Sequence, residues 1–183
     1  MIKRKNERDK YLLKEEYIKF INTCPDKYRL FWEVIFNAGL RVSEGLNITG
    51  QDIIWNENKI IIKTLKRRYH PAIPVIVPQR IIEQMKLYKE KKQIDGRLWT
   101  FSRQFAWQLF KRICIKAGLN AEYSPHALRH AHGVMIADIT NGNVSQIKDR
   151  LRHSSTKSTE FYIHVSEKKQ KELSQKISDY MEV

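Results

Sequence analysis

Four groups of side chains in this 183-residue chain have types and spacing that could carry chemistry, none of them decisive alone. In AGLRVSEGL, Arg41 follows a glycine and an apolar residue at the joint between two helical stretches, where rigid elements on both sides would orient its guanidinium. Glu44 stands three residues on, so Arg41 is also open to a structural reading as an ion-pair partner or a carbonyl cap. In HALRH, His126 and Arg129 sit at i and i+3 and share one face of a helix that opens near Pro125. The first turn of such a helix offers free N–H groups and the positive end of the dipole, a combination that suits phosphate. The plain alternative is a solvated polar face. His126 and His130 also have the i, i+4 spacing of metal ligands, but no Glu base lies between them and Arg129 would set a cation beside the ion. With no carboxylate or cysteine cluster to complete a ligand set, no metal site is expected.

The third group lies in LRHSSTKSTEFYIHV, where His153 and Tyr162 are nine residues apart across a polar loop. A phenol has a pKa of about 10 and is almost wholly protonated at neutral pH. It can attack a phosphodiester only where cations stabilise both the phenolate and the transition state. A buried tyrosine whose hydroxyl finds one partner is the structural alternative. The fourth group is the turn LKRRYHP, whose tip carries Lys66, Arg67 and Arg68. Such a tip can reach onto a nucleic-acid backbone, and a partly desolvated lysine can act as general acid, although charged turns are common.

These residues need elements to hold them. Leu13, Tyr17 and Ile21 at four-residue spacing predict a first helix, which Pro25 ends. RLFWEVIFNAG predicts a buried helix stopped at Gly39, and a short helix follows from Arg41 to Leu46. DIIW and KIIIK, parted by Asn56, Glu57 and Asn58, predict a hairpin, and AIPVIV a third strand that Pro74 confines to an edge. Helices are expected over Pro78–Lys92, after Ser102, from Ser124-Pro125 to about Ile139, over Val144–Leu151 and over Ser158–His164. The tail has Leu173, Ile177 and Met181 at helical spacing. The expected class is mainly α with a small three-stranded antiparallel β-sheet. Residues 1–11 form a basic arm, 12–166 the main domain and 167–183 a C-terminal helix.

Composition narrows the partner. The chain has 34 Lys and Arg against 20 Asp and Glu, a formal charge of +14, and a pI near 9.8. That excess points to a polyanion, with nucleic acid the usual one. No run approaches the ~18 apolar residues of a membrane span, and the start MIKRKNERDK lacks the apolar core of a signal peptide. Cys24 and Cys114 are too few for a disulfide scaffold or a zinc site. A soluble, cytoplasmic protein with no membrane role is expected, nucleoid-associated in a prokaryote or encoded by its virus or mobile element if the polyanion is DNA.

The order of the four groups is more specific than any one of them. Arginine, a lysine in a β-turn, His-x-x-Arg, then histidine with tyrosine nine residues later resembles the tyrosine recombinases, the phage-integrase family. The resemblance runs from about Leu12 to the end and is strongest in AGLRVSE, HALRH and HSSTKSTEFYIHV. It implies the family's catalytic-domain fold and site-specific strand exchange on double-stranded DNA, with no cofactor. By the same resemblance Arg41 and Arg129 would grip the scissile phosphate, and Tyr162 would form a 3′-phosphotyrosine. His153 would donate to the phosphate and His126 would assist proton transfer. Lys66, four residues after Ile62 and eight before Pro74, would protonate the leaving 5′ oxygen in preference to Lys63. Glu44 would buttress Arg41, while Arg67, Arg68 and Arg152 would contact DNA. The terminal helix would dock on a neighbouring subunit in a dimer or tetramer on DNA, with docking in cis on its own domain as the alternative. A type IB topoisomerase-like relaxing enzyme and a DNA-binding accessory module are the alternatives. The family commonly has a separate core-binding domain ahead of the catalytic one, whereas here a basic arm precedes Leu12. Arg152 also stands where the family commonly has glycine, which would be strained if that position needs a positive φ.

Overall fold

The computed structural model describes residues 11–63, 72–152, 159–160, 162, 171, 174–175 and 177–178. The chain divides into two compact units, residues 1–131 and 132–183, with the division inside one helix.

In the first unit, α1 (Lys14–Thr23) opens where the Leu13 N–H donates to Glu16 Oε2 at 2.8 Å. Its deepest side chain is Phe20, while Tyr17 stacks on Phe36 with ring centroids 3.9 Å apart. The predicted Leu13–Tyr17–Ile21 stripe is therefore only half-buried, because Phe20 takes the place nearest the core. Pro25 separates α1 from α2 (Asp26–Asn37), whose Phe31, Trp32, Val34 and Ile35 are all fully buried. An aromatic cluster grows around them. Phe20 meets Phe110 at 4.9 Å, Phe31 meets Trp99 at 5.2 Å and Trp32 meets Phe110 at 5.5 Å between centroids. Such tilted and edge-on pairs add roughly 0.5–1.5 kcal/mol each beyond their buried area.

The end of α2 matters most for the site. Gly39 adopts φ +57°, the Leu40 N–H bonds to the Ile35 carbonyl and the Gly39 N–H to the Phe36 carbonyl. This paired pattern is a Schellman stop, which needs a left-handed residue and so selects glycine. It reverses the chain directly into α3 (Val42–Leu46), with Arg41 extended as the N-cap residue.

A three-stranded antiparallel sheet follows, in the order β1 (Ile53–Ile54), β2 (Lys59–Ile62), β3 (Ile73–Ile76). Ile53 pairs with Ile60, and Ile61 with Pro74. Pro74 sits on an edge strand with exposed surroundings, as its missing N–H requires. Trp55 leaves the first strand for a 3₁₀ turn, Trp55–Glu57, and Asn58 closes the hairpin in the left-handed region. Helix α4 (Gln79–Lys92) covers α2. Helix α5 (Arg103–Lys116) starts where Ser102 Oγ accepts the Phe105 N–H at 3.0 Å, and it packs on α1 and α3.

Helix α6 (His126–Ile139) carries the division between the units. In the second unit, α7 (Val144–Leu151) is capped by Asn143 Oδ1, which accepts the Gln146 N–H at 3.1 Å. Thr159, Glu160 and Tyr162 are helical, as are Lys171, Ser174, Gln175, Ile177 and Ser178. Leu173 and Met181 of the tail stripe lie outside the described residues. Among the described residues no helix is long and apolar enough to cross a membrane.

Candidate active site

The Gly39 reversal sets Arg41 beside Glu44, and this carboxylate organises the site. Glu44 Oε2 accepts the Arg41 backbone N–H at 2.9 Å, and Oε1 accepts Arg41 Nη1 at 2.6 Å. One side chain thus caps α3 and fixes the guanidinium of its own N-cap residue. From α6, Arg129 Nη1 approaches Glu44 Oε2 at 3.9 Å and also donates to the Gly39 carbonyl. Glu44 and Arg129 are buried, whereas the Arg41 side chain stays 35% exposed. Two arginines around one carboxylate leave the cluster net positive, with one guanidinium facing solvent. An oxyanion at that face would meet permanent charges held in place on rigid elements.

His126 completes this part of the site. It opens α6 at the surface, and partial desolvation holds its imidazole below the ordinary value of 6.5. The positive charges of Arg129, Arg41 and Arg103 push in the same direction, while Glu44 opposes them. The ring is therefore neutral at neutral pH and able to accept a proton. Arg103, at the start of α5, contributes through charge alone. Nothing in its local sequence marked it.

Tyr162 belongs to the second unit and is 1% exposed. Its ring lies flush on α6 at Gly133. A Cβ added there would stand 2.7 Å from the Tyr162 Cζ and 2.9 Å from the Leu151 Cδ1. A bare Cα at this helical position is what lets the tyrosine pack so closely. Nearby, Arg150 Nε donates to the buried His132 Nε2 at 3.2 Å, and burial lowers the Arg150 pKa. Sequence reading singled out neither residue.

Arg152 ends α7 at φ +55°, the left-handed conformation expected if it replaces a glycine, and its Nη1 donates to the Arg150 carbonyl at 3.2 Å. The structure therefore gathers Arg41, Glu44, His126 and Arg129 in the first unit and holds Tyr162 and Arg152 in the second. Lys66, Arg67, Arg68 and His153 lie outside the described residues. Among the described residues no group of three His, Cys, Asp or Glu could hold a metal ion.

A mainly helical domain with a small edge sheet, with Arg41 and Arg129 gathered on Glu44 and His126 beside them, defines the class. Residues 10–169 match the model of the phage integrase family, and the chain belongs to that family. It is 28% identical over 171 residues to a protein named tyrosine recombinase XerA from Thermococcus onnurineus, covering 86% of this chain and 58% of that relative. The crystal structure of XerA recombinase superposes with a TM-score of 0.75 at 21% identity, over 91% of this chain and 64% of that one. The XerH site-specific recombinase bound to palindromic difH substrate gives the same TM-score and identity, over 91% and 52%. The fold is that of the tyrosine recombinase catalytic domain. The chain spans less than two thirds of the length of these relatives.

Proposed function

We propose that this chain is the catalytic part of a site-specific DNA recombinase, cutting and rejoining strands through a covalent 3′-phosphotyrosine. The observation that supports this most is the Glu44-centred cluster. Transfer of a phosphoryl group depends on positioning and on charge stabilisation of the equatorial oxygens. Arg41 and Arg129 supply that charge as planar bidentate donors, the part that divalent cations play in many nucleases. Tyr162 attacks, the neutral His126 takes the phenolic proton, and His153 adds a donor to the phosphate. The DNA-bound state of XerH, a structure sharing this fold, supports duplex DNA as the partner. Arg67, Arg68 and Arg152 join the surrounding backbone contacts. Copies assemble on the DNA as dimers or tetramers.

The test is a nicked suicide duplex, scored for a 3′ protein–DNA adduct on a denaturing gel. Wild-type protein forms the adduct, and Tyr162→Phe abolishes it while retaining binding. An undiminished adduct in that variant overturns the nucleophile assignment. Relaxation of supercoiled plasmid by a monomer without site preference assigns the chain to the relaxing enzymes instead.

A further inference from the structure

The seat of Tyr162 is braced by a polar pair that the proposed reaction does not use. Two consecutive residues of α6, His132 and Gly133, meet two consecutive residues of α7, Arg150 and Leu151. Gly133 and Leu151 form the seat. A Cβ added to Gly133 would stand 2.7 Å from Tyr162 Cζ and 2.9 Å from Leu151 Cδ1, so helix, leucine and phenol ring meet with no slack. The preceding residue of each pair forms the brace, with Arg150 Nε donating to His132 Nε2 at 3.2 Å. His132 is buried and Arg150 half-buried. A guanidinium can only donate, so Nε2 is the unprotonated nitrogen of a neutral ring. Arg150 is held at its backbone as well, where its carbonyl accepts Arg152 Nη1 at 3.2 Å. Apolar contacts are non-directional and would let the two helices slide. A hydrogen bond between desolvated groups has a set length and angle, and so fixes how far α7 stands from α6. An apolar pair of like volume is often at least as stable as a buried polar one, so the polar pair points to placement more than to stability.

We propose that His132 and Arg150 are positioning residues for the nucleophile, their hydrogen bond fixing the spacing of α6 and α7 and so holding the Tyr162 ring on Gly133. This role rests on the recombinase reading. Neither residue takes part in the transfer itself. Because the ring has no slack at Gly133, a small shift of α7 carries Leu151 into the ring or away from it, and the phenolic oxygen moves with the ring. In-line attack on phosphorus is sensitive to such a shift, since misplacing a reacting group by about 1 Å can cost about 100-fold in rate.

The experiment pairs fluorine NMR with the suicide duplex. Fluorotyrosine incorporated throughout the chain gives each tyrosine a resonance, and the line missing from Tyr162→Phe belongs to Tyr162. Single-turnover adduct formation at saturating DNA is then measured on the same variants with ordinary tyrosine. His132→Leu removes the acceptor. Its Tyr162 line should move toward the position seen in denaturant while the other tyrosine lines stay in place. Its adduct rate should fall by about 10- to 100-fold, with duplex affinity unchanged. His132→Gln sets an amide oxygen about where Nε2 stands, keeps an acceptor for Arg150, and should restore both line and rate. The double variant His132→Leu with Arg150→Leu removes donor and acceptor together, a change that can be nearly neutral for stability. It should still show the displaced line and the slow rate, because direction is what has been lost. Should His132→Leu fail to fold, seen as movement of every tyrosine line, the double variant carries the comparison. Unfolding of both makes the pair a requirement of the fold and overturns the positioning role. So does an unmoved Tyr162 line, a moved line with an unchanged or faster adduct, recovery in the double variant, or a His132→Gln variant that behaves like His132→Leu. No adduct from wild-type protein overturns the recombinase reading itself. An adduct formed at the wild-type rate by His132→Leu overturns the positioning role alone.

Discussion

Glu44 accepts from the backbone and side chain of Arg41 and lies beside Arg129, and its removal separates structure from chemistry. Without the carboxylate, the Arg41 backbone N–H, the Arg41 guanidinium and Arg129 all lose a partner, and Arg129 is left as a buried charge. Breaking one side of a buried ion pair costs about 3 kcal/mol. Glu44→Ala should therefore lower the denaturant midpoint by an amount corresponding to that loss and abolish cleavage, measured by equilibrium unfolding and the adduct gel. His126 makes a prediction of opposite character. Its lowered pKa means that the unfolded chain binds the proton more readily, so both folding stability and the neutral base are lost as pH falls below 6.5. The acid limb of the second-order cleavage rate, which reports the free enzyme, should lie below pH 6.5. Arg103→Ala removes one of the charges that depress it and should move that limb upward toward 6.5, whatever it does to binding. The Arg41–Glu44 pair was legible because its partners are three residues apart, and the structure bears out the pairing reading. The Arg129 bond to the Gly39 carbonyl was not legible. It joins positions 90 residues apart, and only the packing of α6 in the first unit brings them together. Asp52 left a faint trace in Thr49-x-x-Asp52, the spacing of a helix-start cap, but its ion pair with Lys63, at the end of β2, depends on how the sheet returns beside that turn.

At the scale of elements, helix ends and strand edges were the readable features. Pro74 foretold an edge strand, Ser102 a cap, and Gly39 and Gly118 helix stops, each through a local backbone requirement that tertiary packing did not need to supply. The interior of α1 was harder, because alternating stripes there compete and Phe20 wins by reaching Trp32 and Phe110. The end of α7 stores strain in its backbone. Arg152 occupies a left-handed backbone at φ +55°, where a Cβ is penalised and glycine is not. Arg152→Gly should therefore raise unfolding stability by about 1 kcal/mol, read as a higher thermal midpoint. If the guanidinium also serves the DNA backbone, the same variant binds duplex more weakly. Stability and affinity then move in opposite directions, a signature expected where a strained residue is retained for its side chain. A rise in stability with unchanged affinity would remove Arg152 from the DNA-contacting set.

For the molecule as a whole, the quantity that needs explaining is the +14 charge on a chain shorter than two thirds of its relatives. Four of the cations have local partners: Arg41 and Arg129 meet Glu44, Arg103 acts on His126, and Lys63 pairs with Asp52. Each acts at short range, through fixed contacts or through the pKa of His126. Under the recombinase reading the rest would meet the duplex backbone. Duplex DNA sheds condensed counterions when phosphates are neutralised, so log affinity falls against log salt with a slope of about −0.9 per phosphate contacted. The basic arm Met1–Lys10 supplies five of the cations, Lys3, Arg4, Lys5, Arg8 and Lys10, against Glu7 and Asp9. If the arm grips backbone, deleting it should flatten the salt slope by roughly 2–4 and weaken binding by a similar factor on specific and unrelated duplexes, since phosphates carry no sequence. The single-turnover cleavage rate at saturating DNA should stay unchanged, because the groups that touch the scissile phosphate lie elsewhere. Fluorescence titrations over a range of salt, paired with the suicide-duplex rate, measure both quantities. An unaltered slope would assign the backbone grip to the helices and the hairpin. A fall in the saturated cleavage rate would mean that the arm also orders the site, which would tie the long-range charge of the chain to its short-range chemistry.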